Sequence, residues 1–74
     1  MEKFINLFAE QFDDTDVSVL KPETEFKGLE EWSSIIALSV IAMVDEEYDV
    51  TLRGEDIRNA KTIEDLFNTV QSKL

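Results

Sequence analysis

Two adjacent serines, Ser33 and Ser34, and an acidic group made of Asp45, Glu46, Glu47 and Asp49 are the residues of this chain whose types and spacing could do chemistry. A serine becomes a nucleophile when a base stands beside it, and the chain has no histidine to be that base and no cysteine to replace the serine. The serines are therefore not expected to act as nucleophiles. Both precede the apolar run Ile35 to Val44, where one hydroxyl can accept a hydrogen bond from an orphan N–H of a helix's first turn. The other then faces outward near the positive end of the helix dipole, where an attached phosphate is electrostatically tolerated. The acids allow less. An EF-hand loop beginning at Asp45 needs glycine at its sixth position and glutamate at its twelfth, and meets Val50 and Asp56 instead. They are expected to form a solvated rim that attracts Mg²⁺ or Ca²⁺ loosely through summed charge, with no metal site. Paired carboxylates for glycoside cleavage need a cleft, which so short a helical chain has little material to build.

The elements that position these residues follow from apolar periodicity. Within the run that begins at Ile35, Ala37, Val40, Ile41, Val44 and Tyr48 fall at i, i+3, i+4, i+7 and i+11, a helical face suited to a core. Ile35, Leu38 and Ala42 make a second stripe, and Ile36 and Met43 widen the apolar surface beyond what one stripe of a small bundle needs. That surplus calls either for central burial or for a partner. It does not call for a membrane, because ten apolar residues rise only about 15 Å against a hydrocarbon core of roughly 30 Å.

Ahead of this helix, Phe4, Ile5, Leu7, Phe8 and Phe12 predict an amphipathic helix from about Glu2 to Phe12, broken by Asp13, Asp14, Thr15 and Asp16. A long connection to Trp32 follows, in which Val17, Val19 and Leu20 form a brief apolar patch. Phe26, Leu29 and Trp32 are spaced to pin it to the core, with Gly28 allowing a turn. Beyond Tyr48, Val50 and Leu52 are apolar anchors, Gly54 to Arg58 predicts a short helix, and Thr62 caps a last helix running to about Ser72 with Ile63, Leu66, Phe67 and Val70 as its buried face. The fold class expected is all-α, three main helices plus one short helix, with a long loop between the first and second.

Composition narrows the function. Seventy-four residues suit one domain over 1–74 with a modest core. The absence of cysteine and histidine removes disulfides, thiolate metal sites and the commonest zinc ligand, so an enzyme is not expected. Seventeen acids against seven bases give a formal charge of −10, which repels nucleic acid and anionic membranes and favours basic partner surfaces. The first residues carry an early acid and no apolar run of signal-peptide length, and a cytoplasmic location is expected.

Taken together, Phe26-x-x-Leu29, Trp32, Ser34-Ile35, the distance from Ser34 to Glu46-Glu47-Tyr48-Asp49, and Thr62-Ile63-Glu64-Asp65-Leu66 resemble the acyl carrier protein family, which includes the peptidyl and D-alanyl carriers, over nearly the whole chain. The resemblance implies an acyl-carrier-protein-like bundle and no catalysis by the chain itself. It implies that Ser34 receives 4′-phosphopantetheine from coenzyme A through a phosphopantetheinyl transferase, and that the arm's thiol carries an acyl or aminoacyl group between loading and accepting enzymes. It further implies that Ile35, Leu38, Ser39, Ala42, Asp45 and Glu46 meet those partners, and that the carrier is a monomer. The family's aspartate before the modified serine is Ser33 here. Attachment at Ser33 itself would break the spacing to Tyr48 and rotate the arm by about 100° around the helix. Fatty acid, polyketide, amino acid and lipid-modification pathways all remain open as sources of cargo. The alternative reading is an unmodified carrier-like module that docks its acidic Ser34 to Tyr48 helix into a partner.

Overall fold

Helices form where the apolar period is helical and the ends can be capped, and four do: α1 (Glu2–Ala9), α2 (Ser34–Tyr48), α3 (Gly54–Asn59) and α4 (Ile63–Ser72). The computed structural model describes residues 1–74 and contains no strand. Single 3₁₀ turns at Val17–Val19 and Phe26–Gly28 punctuate the long α1–α2 connection. The radius of gyration, 10.9 Å, matches the roughly 11 Å expected of a compact chain of this length. No helix is long and apolar enough to cross a membrane.

Two helix ends, the start of α4 and the end of α2, show why a helix starts or stops where it does. In α4, the Thr62 hydroxyl accepts from the Asp65 N–H at 3.1 Å while the Asp65 carboxylate accepts from the Thr62 N–H at 3.1 Å, a reciprocal cap built with aspartate in place of the usual Glu or Gln. The Thr62 amide, with that of Lys61, holds the Asp65 carboxyl below its ordinary range. At the other end of α2, Asp49 takes a left-handed conformation (φ 55°) and its N–H donates to the Asp45 carbonyl at 3.1 Å. Aspartate tolerates that region better than most side chains.

The core joins all four helices. Phe4 and Phe8 from α1, Val40 and Val44 from α2, Ile63, Leu66 and Val70 from α4, and Phe26 from the connection are fully buried. The aromatic rings form one chain of contacts: Phe4 meets Phe67 at 5.2 Å and Tyr48 at 6.0 Å between centroids, then Phe8, which continues to Phe26 at 5.5 Å. Burial pushes the Tyr48 phenol up, and Glu47 adds to that shift.

One expectation from the sequence is corrected and two are made more specific. First, α1 ends at Ala9 rather than Phe12, because Gln11 and Phe12 turn more tightly and donate to the carbonyls three residues back; Phe12 stays buried. Second, Val17 and Val19 are 42% and 54% exposed, and only Leu20 of that patch enters the core. Third, Gly28 has no positive φ and a side chain there would meet nothing within 4 Å, so the turn does not need glycine's freedom. The long connection is otherwise held as its apolar residues suggest, with Phe26 buried and Leu29 and Trp32 packed on the core. Backbone bonds help: the carbonyls of Thr24 and Pro22 accept from the first free N–H groups of α4, those of Ile63 (3.1 Å) and Glu64 (2.9 Å).

Candidate functional site

The entrance of α2 is fixed by three consecutive side chains. Ser33 is extended (φ −155°) and its hydroxyl accepts from the Ile36 N–H at 3.3 Å, which makes it the cap. Before it, the Trp32 indole lies against Phe26 at 5.0 Å, edge on, and against Phe8 at 6.4 Å, nearly parallel. Before that, Glu31 reaches back to the segment after α1. Its carboxylate accepts from the Asp13 N–H at 2.7 Å, the Asp14 N–H at 3.1 Å and the Thr15 hydroxyl at 2.7 Å. Ser34 follows as the first residue of the helix and is exposed. One serine therefore serves the fold and the other stands in solvent at the helix's positive end.

From Ser34 the exposed side of α2 can be followed at about 100° per residue. Leu38, Ala42, Ile35, Asp45 and Glu46 all fall within about 120° of the Ser34 direction and all are exposed. Ser39 lies at the edge of this sector, half-buried. Ile35 and Leu38 are 73% and 66% exposed, large aliphatic side chains with no neighbour to cover them. The core side of the helix differs from the periodicity-based face. Val40 and Val44 lie at its centre as expected, but Met43 is buried with them, while Ala37, Ile41 and Tyr48 are half-buried at its flank beside Ile36. The surplus apolar surface thus divides: Met43 and Ile36 go inward, and the Ile35, Leu38, Ala42 stripe stays out.

Beside that stripe runs an open groove of about 300 Å³ between α1 and α2. Its apolar floor is Leu7, Ala42 and Met43, and Glu10, Glu46 and Glu47 rim it. Every charged residue of the rim is acidic, with Gln11 and Ser39 as its neutral members, so a basic segment approaching the exposed stripe meets charge of opposite sign along the groove. A second hollow, about 550 Å³, lies over Asp14, Thr15, Leu29, Glu30 and Glu31, against the Glu31 contacts. No group of three carboxylates is arranged to hold a metal ion.

The structure brings Ser34, Ile35, Leu38, Ala42, Asp45 and Glu46 onto one surface, with Ser39 beside them. The roles of three residues were not legible beforehand. Leu7 and Glu10 face α2 across the groove, although the spacing of α1 marked only its core stripe. Glu31 looks in the sequence like any solvated acid, and its partners lie 16 to 18 residues earlier. Compared with known protein families, the chain matches none of their sequence models.

Proposed function

We propose that this protein is an acyl carrier whose Ser34 hydroxyl receives a 4′-phosphopantetheine arm. What supports the reading is the division of labour at the start of α2, where Ser33 caps the helix and Ser34 is left exposed beside an apolar, acid-rimmed surface. A phosphodiester at Ser34 fits this setting, since a negative group there meets the positive end of the dipole and is not forced inside. Attachment joins Ser34 Oγ to phosphorus as coenzyme A releases adenosine 3′,5′-bisphosphate, and the hydroxyl proton passes to a base of the transferase, since the chain has no histidine of its own. The arm supplies a thiol that holds an acyl or aminoacyl group as a thioester. The chain's own residues do the rest: Ile35, Leu38 and Ala42 give a partner enzyme apolar contact, and Asp45, Glu46 and the net charge of −10 steer basic surfaces toward it.

The test is mass spectrometry after incubation with coenzyme A and a broad-specificity phosphopantetheinyl transferase. The expected result is one pantetheinyl mass increment on the wild type and on Ser33→Ala, and none on Ser34→Ala. An unmodified wild type overturns the reading.

A second reading keeps the surface without the arm: a binding module that docks α2 into a basic partner. The observation favouring it is that Ile35 and Leu38 are exposed whether or not Ser34 is modified. It replaces the first if Ser34→Ala leaves cellular function intact while Leu38→Glu abolishes it.

A further inference from the structure

We propose that Glu31 is a positioning residue for modification of Ser34, acting by closing the long connection so that the entrance of α2 is presented in one arrangement. The inference rests on the reading of Ser34 as the attachment site. Its basis is a set of contacts that no local rule requires. Between α1 and α2 lie twenty-four residues, 10 to 33, with no α-helix. The two ends of this span are brought together by one carboxylate: Oε2 of Glu31 accepts from the Asp13 N–H at 2.7 Å and Oε1 accepts from the Thr15 hydroxyl at 2.7 Å, while both oxygens lie within reach of the Asp14 N–H, at 3.1 and 3.2 Å. Two successive backbone amides and a hydroxyl make a small anion-binding concavity. Here the chain fills it with its own side chain, and charge-assisted bonds of this kind are stronger than neutral ones.

Position gives the clamp its consequence. Glu31 precedes Trp32, whose ring is seated on Phe8, Phe12 and Phe26, and Trp32 precedes the capping serine. Phe12 is thus joined to the entrance of α2 through the Trp32 ring, and the residues just after it are joined through Glu31. The Thr15 hydroxyl, followed by the Asp13 and Asp14 amides, holds the Glu31 carboxyl below its ordinary range, so the clamp stays charged across neutral pH. Without the carboxylate those amides lose their partner, three aspartates (Asp13, Asp14 and Asp16) crowd an unpinned loop, and the approach to Ser34 samples other arrangements. A transferase that engages only the closed arrangement then sees a lower effective concentration of substrate. Apparent affinity falls by the competent fraction while the chemical step is untouched.

The experiment is steady-state transfer from coenzyme A to wild-type protein, Glu31→Ala, Glu31→Gln and Thr15→Val, each first checked for helical content and thermal midpoint, and assayed well below that midpoint. The expected result is a rise of about threefold or more in KM for Glu31→Ala with kcat unchanged, a smaller rise for Thr15→Val, and partial recovery in Glu31→Gln, which keeps one acceptor oxygen. A lowered thermal midpoint with KM and kcat both at the wild-type value makes the clamp merely structural and overturns the proposal, as does a fall in kcat at constant KM. Should Glu31→Ala not fold, the Thr15→Val and Glu31→Gln variants decide by the same criterion. A wild type that gains no mass removes the Ser34 reading and the proposal with it, an outcome separate from equal kinetics among modified proteins.

Discussion

The two faces of α2 are built from the same kinds of side chain and end in opposite surroundings. Val40, Val44 and Met43 are covered by the rest of the bundle, while Ile35 and Leu38, one or two turns away on the same rod, stand mostly in water. For a chain of this length the difference is informative. A small domain buries a limited fraction of its surface and can ill spare aliphatic side chains from the core; each one left out forgoes roughly 1.5–3 kcal/mol of burial free energy. Single exposed aliphatics are ordinary, but here two are contiguous with an alanine, an acid-rimmed groove and an exposed serine, the pattern expected of a surface kept for contact.

The comparison can be broken most directly on the buried side. Phe8 touches Phe4, Phe12, Phe26 and Trp32, and Phe8→Ala is expected to remove about 3–5 kcal/mol of stability in urea unfolding. That is a large share of what a chain of this size has. A loss under about 1 kcal/mol would mean that the aromatic contacts do not organise the core. On the open side, Leu38→Glu is expected to leave urea stability within about 0.5 kcal/mol of the wild type and, on the proposed reading, to weaken recognition by a phosphopantetheinyl transferase about tenfold, about 1.4 kcal/mol. Equal losses in stability for Phe8→Ala and Leu38→Glu would erase the distinction between the faces.

Acidification sharpens it further. Asp65 caps the helix that carries Ile63, Leu66 and Val70 to the buried side, and the amides of Thr62 and Lys61 hold its carboxyl below the ordinary carboxyl range. A depressed carboxyl contributes stability above its unfolded pKa and loses it as pH falls through the folded one. Unfolding midpoints of the wild type and Asp65→Asn should therefore differ at neutral pH and converge as pH drops below about 4. A constant gap down to pH 2 would assign the effect to something other than the charge. The smallest effect touches both faces alike: Asp49→Gly relieves the left-handed end of α2 and is expected to raise stability by a few tenths to about 1 kcal/mol. A decrease would show that the Asp49 side chain does more than tolerate that conformation.

Much of the architecture was legible because its signals are short-range. The Ser33-Ser34 pair and the Asp45 to Asp49 acids bracket α2 at its observed bounds, and Thr62 with Asp65 marks the start of α4. Each signal is a hydrogen bond or a charge within one turn of the residue that carries it. Where the expectation missed, the deciding partner was distant. Phe12 follows a helical spacing, yet α1 stops at Ala9 as the chain turns toward the segment whose amides Glu31 holds. Met43 looked like surplus and is core, because burial on α2 is set by the elements packed against it and not by its own period.

By itself the sequence determined an all-α chain, the bounds of its central helix, an acidic exterior and a serine pair in which one hydroxyl could cap and the other be spared. Backbone satisfaction and apolar periodicity act over a few residues, so they can be read in order along the chain. Only the tertiary structure decided that Ile35 and Leu38 stay uncovered while Met43 does not, and that Glu31 closes the long connection ahead of Ser34. A helix that is apolar on nearly every side has no preferred inward face of its own; the packing of α1, α4 and the connection selects one, and what they leave bare is the surface on which the proposed function rests.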